Sequence, residues 1–106
     1  MSNKVFQHSL HRELWQWLSD NPEKDKYQWI QWRSNDGTVE DIPGDCFACN
    51  YGNGCRECPL EHTHVELRCL GGTYERWEQN EGNPQERTRL ALVIRDLPVK
   101  DGVVCE

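Results

Sequence analysis

A mainly α-helical, single-domain fold with little or short β structure is what the sequence predicts, and three observations carry it. Leu10, Leu14 and Leu18 stand four apart in the segment 9–20, with Trp17 three after Leu14, which is one face of an α-helix. Asn83-Pro84-Gln85-Glu86 reads as an N-cap, a Pro in the first turn and a Glu three residues on, and Leu90, Val93, Ile94 and Leu97 follow at helical spacing up to Pro98. Between these segments lie two C-x-x-C pairs, Cys46/Cys49 and Cys55/Cys58. Two such pairs offer the four thiolates that a tetrahedral zinc ion takes, so a zinc knuckle is expected to staple the helices together.

The composition calls for such a staple. The chain has 106 residues, a formal net charge of −6 and a mean hydropathy of −0.90. Leu, Ile, Val and Phe supply only 21 of the 106 residues, against five Trp, three Tyr and six Cys. That aliphatic share lies at the border below which charged chains stay disordered. The length excludes a multidomain enzyme, a TIM barrel and a full dinucleotide-binding fold.

The elements follow in order. The first helix is expected over 9–20, with Ser9 as a possible N-cap, and Trp15 falls to the side of its Leu stripe. Asn21-Pro22 stops it, because the residue before Pro disfavours the helical region. A second helix is expected over 23–32, opened by the capping-box spacing of Asp20 and Glu23 and carrying Tyr27, Trp29, Ile30 and Trp32. These two helices form an N-terminal part at 1–33. Residues 34–45 read as loop, with turn signals at Asn35-Asp36-Gly37 and Pro43-Gly44. The metal-binding knuckles occupy 46–69. A C-terminal helical part at 73–98 comprises a short helix from Thr73 through Trp77 and the helix opened by Asn83. The tail beyond is expected to be loose or a short edge strand.

The cysteine cluster carries the chemistry. Five residues, Asn50-Tyr51-Gly52-Asn53-Gly54, separate the two pairs, and their Gly and Asn permit the positive φ values of a tight return. Cys46, Cys49, Cys55 and Cys58 are the first-choice ligands, with Cys69 and His62 as alternates, for one zinc per chain. Structural zinc contributes an apparent ~10–16 kcal/mol near neutral pH, and a domain of this size is stable by only ~5–15 kcal/mol. One ion is therefore enough to decide folding. The rival readings are an iron–sulfur cluster, whose Cys-Pro ending Cys58-Pro59 echoes without its spacing, and disulfides in an exported protein. A redox C-x-x-C lacks a βαβ pattern. Cys69 acting as a nucleophile with His62 or His64 as base is the remaining alternative. Cys105 reads as a free, exposed thiol.

Outside the cluster, the five Trp read as core, since few aliphatics are present and each Trp buries a large area. Trp15, off the stripe, is the candidate for an exposed partner-binding anchor, because Trp is enriched in binding hot spots. The 18 carboxylates form no catalytic pair, and there is no phosphate loop, H-E-x-x-H or G-x-S-x-G motif. An enzyme is therefore not expected. The 12 basic residues are scattered, which disfavours a phosphate-binding surface. Nucleic-acid binding through Arg56 and Arg68 beside the knuckles stays as the alternative. No segment reaches signal-peptide or membrane-span proportions, so a cytoplasmic protein with reduced thiols is expected.

Several segments together, LWQWLSDNPEKDKYQW at 14–29, CFAC at 46–49, CRECPL at 55–60, CLGGTYERW at 69–77 and LALVIRDLPVK at 90–100, resemble a group of small proteins encoded by tailed phages and bacterial prophages. That group often carries a second Pro where this chain has Ile30, which leaves the boundary of the second helix open. The resemblance implies a metal and a phage or prophage origin, and supplies no catalytic residue. Combined with the acidic charge and the Trp surplus, it leads to the expectation of a non-enzymatic module. Such a module would bind a protein in the bacterial cell, phage or host, as an inhibitor or modulator of a host defence or replication enzyme. The oligomeric state is not legible.

Overall fold

A computed structural model describes residues 5–42, Phe47, Leu60 and residues 73–106. The helices spanned by described residues are α1 (His8–Asp20), α2 (Thr73–Gln79) and α3 (Pro84–Arg95). Two 3₁₀ turns, Lys26–Gln28 and Arg33–Asn35, lie between α1 and α2. The described β structure is confined to isolated bridges, Phe6 with Cys105, Trp32 with Val39 and Leu60 with Val99. The fold is mainly helical. Its radius of gyration of 13.4 Å is close to the ~13 Å of a compact chain of about 100 residues.

α1 packs on α3, and α3 also packs on α2. The buried residues of α1 are His11, Leu14, Trp15, Leu18 and Ser19, so its inner face follows 11, 14, 15 and 18 at helical spacing. Leu10 and Trp17 are only partly buried against the core. The face is thus rotated from the expected Leu10–Leu14–Leu18 stripe toward Trp15. From α3, Arg87, Leu90, Ala91 and Ile94 are buried. The core is completed by Phe6, Trp29, Trp32, Phe47, Leu60 and Trp77. Four Trp thus take the place of missing aliphatics. Each buries ~150–250 Å², which at about 25 cal/mol per Å² is a gross gain of about 4–6 kcal/mol before entropy.

The helix ends show which local signals were used. α1 begins at His8 without a side-chain cap, so Ser9 is not its N-cap. Its first-turn amides are met by backbone instead: His8 N–H donates to Phe6 O (2.8 Å) and Ser9 N–H to Glu106 O (3.0 Å). At the other end Asn21 Nδ2 donates to Trp17 O at 2.8 Å. Asn83 Oδ1 accepts from Glu86 N–H at 3.2 Å and Pro84 opens α3, as the sequence predicts. Asn80 Nδ2 closes α2 on Arg76 O at 2.7 Å.

The second helix expected over 23–32 does not form. A capping box is present, but it pairs Asp25 with Gln28 rather than Asp20 with Glu23, and it opens a single 3₁₀ turn. Side chains then take the carbonyls that a longer helix would use. Trp32 Nε1 donates to Lys26 O (2.8 Å), and Asn35 Nδ2 donates to Tyr27 O and Trp29 O (2.9 Å each). Asp36 lies in the left-handed region at φ 67°, which Asp tolerates. At Gly37 a Cβ would fall inside the Gln31 peptide group, so the return from 31 to 39 requires glycine.

Candidate functional site

The predicted zinc ligands Cys46, Cys49, Cys55 and Cys58, and the alternates Cys69 and His62, lie outside the described residues. So do His64, Arg56 and Arg68. Two residues of this stretch are described, and both belong to the core. Phe47, inside the first C-x-x-C, is buried. Its ring stacks on Trp32 at 5.4 Å and meets Trp29 edge-on at 6.1 Å. Leu60, two residues after the second C-x-x-C, is buried and pairs with Val99 in an antiparallel bridge. Each cysteine pair thus has an apolar neighbour seated in the same core cluster.

Trp15 is corrected as an exposed anchor. It is only 4% exposed, with its ring edge-on to Trp77 at 5.0 Å and to Tyr74 at 6.0 Å. Its position off the Leu stripe gives it to α2, whose aromatics cover that side of α1. Cys105 is exposed and free, as expected.

Two concavities are lined by described residues. The larger, of about 460 Å³, is walled by α1 on one side and by residues 29–31 on the other, with Arg95 at its edge. Its apolar lining comes from Trp17, Trp29 and Ile30, and Ile30 is 58% exposed. Arg12, Glu13 and Asp20 supply charge from α1. Arg95 is held by Asp96 (2.8 Å) and Gln16. That guanidinium, with Arg12 farther away at 3.7 Å, keeps the Asp96 carboxyl below its usual range. The Ser34 hydroxyl and amide likewise hold the Asp41 carboxyl low.

No protein-family model, curated protein or solved structure matches this chain.

The second concavity, of about 340 Å³, is bordered by Tyr27, Tyr74 and Trp77 with Glu78 and Glu81. The chain's own cations cover its aromatics: Lys26 Nζ sits 4.4 Å from the Tyr74 centroid, and the Arg87 guanidinium 3.9 Å from that of Trp77. Arg87, 1% exposed, also donates to Trp77 O, Pro22 O and Lys24 O and pairs with Asp25 at 2.7 Å. The sequence reading overlooked this residue, although its spacing to Leu90, Ala91 and Ile94 places it on the inner face of α3. Among the described residues His11 is the other buried ionisable group. Its Nε2 lies 3.2 Å from Ile94 O, and desolvation, opposed by that bond and aided by the charges of His8 and Arg12, lowers its pKa to about 4.

Among the described residues no cluster of His, Cys, Asp and Glu could hold a metal, and no helix is long and apolar enough to cross a membrane.

Proposed function

We propose that the chain is a zinc-stabilised, non-enzymatic protein-binding module of phage or prophage origin. In this reading it acts in the bacterial cytoplasm on a phage or host protein, as an inhibitor or modulator of a defence or replication enzyme. The observation that carries the metal is the double C-x-x-C with a Gly- and Asn-rich return, whose apolar neighbours Phe47 and Leu60 both enter the core. Cys46, Cys49, Cys55 and Cys58 would hold one zinc, with Cys69 and His62 as alternates, and the ion would supply structure rather than chemistry. The binding surface is the groove of Trp17, Trp29 and Ile30, because Trp15 is spent in the core and Ile30 is an exposed apolar side chain on its wall.

Two measurements test this. Metal analysis of purified chain should find close to one zinc, lost in Cys49→Ser; iron with visible absorbance would replace zinc by a cluster. Ile30→Asp should abolish recovery of a protein partner from bacterial lysate without changing zinc content or helicity. Equal recovery would move the partner surface elsewhere, and a salt-dependent mobility shift with nucleic acid would favour the alternative function.

A further inference from the structure

The second concavity is built by two short elements. The 3₁₀ turn Lys26–Gln28 contributes Lys26 and Tyr27. α2 contributes Tyr74, Trp77 and Glu78, and Glu81 follows in the turn after it. Positions 74, 77, 78 and 81 fall at helical spacing, which brings two rings and two carboxylates to one side.

Two of the three rings already carry a cation. Lys26 Nζ lies 4.4 Å from the Tyr74 centroid and the Arg87 guanidinium 3.9 Å from that of Trp77. A cation is drawn to an aromatic face by the ring quadrupole, and here the chain supplies two from its own sequence. Arg87 is fixed, 1% exposed and paired with Asp25. Lys26 is only partly buried and carries its charge on a flexible stem. The third ring, Tyr27, is 62% exposed, and no described ring or cation lies on it. Glu78 and Glu81 are exposed and form no ion pair with a described residue. Trp77 keeps an open donor: its indole N–H is buried without a hydrogen-bond partner among the described residues.

We propose that this concavity is a second interaction site, which takes a lysine or arginine side chain from a basic peptide segment of a partner protein. The incoming cation lies on Tyr27, is met by the carboxylates of Glu78 and Glu81, and competes with Lys26 for Tyr74. The charge balance agrees. With Arg87 neutralised by Asp25, the lining is left with Lys26 against two carboxylates, in a chain of formal net charge −6. A peptide is favoured over a bare cation because it also brings carbonyl oxygens, the acceptors an unmatched indole N–H lacks. No lining residue is a cysteine, and none lines the groove of Trp17 and Ile30, so the site is independent of both the zinc and the groove.

The test is an NMR titration of the full chain with a blocked hexapeptide of alternating Arg and Gly. An Asp-Gly hexapeptide and arginine amide serve as comparisons. The basic peptide should shift the ring signals of Tyr27 and Tyr74 saturably, and its affinity should fall as salt rises. Tyr27→Ala should weaken binding about fivefold, and Glu78→Gln with Glu81→Gln about tenfold at low salt. These three side chains are exposed, so the helical signal should not change. Lys26→Met removes the internal competitor and should tighten binding by about threefold or more. Unmoved Tyr27 and Tyr74 signals, equal shifts from the acidic peptide, or full affinity in the Tyr27 and Glu variants overturn the site. Shifts confined to Trp17 and Ile30 also overturn it, because the peptide then sits in the groove. Arginine amide binding as tightly as the hexapeptide refutes a peptide ligand, and unchanged affinity in Lys26→Met refutes the competition.

Discussion

At the residue scale, two buried polar side chains decide how the core tolerates change. Arg87 is a cation placed among three backbone carbonyls, one carboxylate and the face of Trp77. Its planar fork serves several acceptors at once, which a point-charge ammonium cannot do. Arg87→Met is expected to destabilise the chain by about 2–4 kcal/mol, since buried carbonyls lose their donor. Arg87→Lys should recover less than half of that. Denaturant midpoints at unchanged m-value measure both. His11 is held neutral, with a pKa of about 4 against the ordinary 6.5. A histidine depressed in the folded state contributes fully above 6.5, and that contribution falls as pH drops from 6.5 toward 4. The loss over this window is on the order of 3 kcal/mol. His11→Gln can still donate to Ile94 O, and its stability should therefore stay flatter between these pH values in thermal melts.

At the scale of elements, the segment 26–39 is held by irregular backbone turns and side-chain bonds rather than by a repeating helical ladder. That is why its helical pattern misled. Trp29 and Trp32, three apart, do share a surroundings, but the surroundings are each other and Phe47, and Asn35 and the Trp32 indole take the carbonyls of 26, 27 and 29. A helix of ten residues is marginal on its own, so these longer-range bonds prevail. α1 and α3 were legible because periodicity, Asn21-Pro22 and the Asn83-Pro84 cap all act locally. The site was less so. Trp15 was placed correctly off the Leu stripe, but its burial depends on Tyr74 and Trp77, about sixty residues away, which no local pattern reports. Gly37→Ala tests the wall directly. Its Cβ would meet the Gln31 backbone, which cannot yield as a side chain does, so we expect a loss of about 2 kcal/mol or more and protease cleavage near residues 31–39.

At the scale of the molecule, the chain's described ends are tied to one another. Phe6 N–H donates to Val104 O (2.8 Å), Glu106 N–H to Phe6 O (2.9 Å), and Ser9 N–H to Glu106 O (3.0 Å). Phe6 itself is fully buried beside His11, their rings 5.5 Å apart. Removing residues 104–106 would break three backbone bonds worth roughly 1 kcal/mol each and uncover the first-turn amides of α1. A loss of about 3 kcal/mol is expected, read by chemical denaturation, with faster exchange confined to the first turn of α1.

The same pairing has a consequence for chain connectivity. Phe6 and Cys105 pair as a parallel bridge, so residues 5–7 and 104–106 run in the same direction and the last described residues lie against the start of α1. The backbone is open to cleavage at the exposed turn 81–82, where a Cβ added at Gly82 would meet nothing within 4 Å. A cut there would leave the packing of α1 on α3 in place and the 5–7/104–106 pairing as the tie between the two halves of the chain.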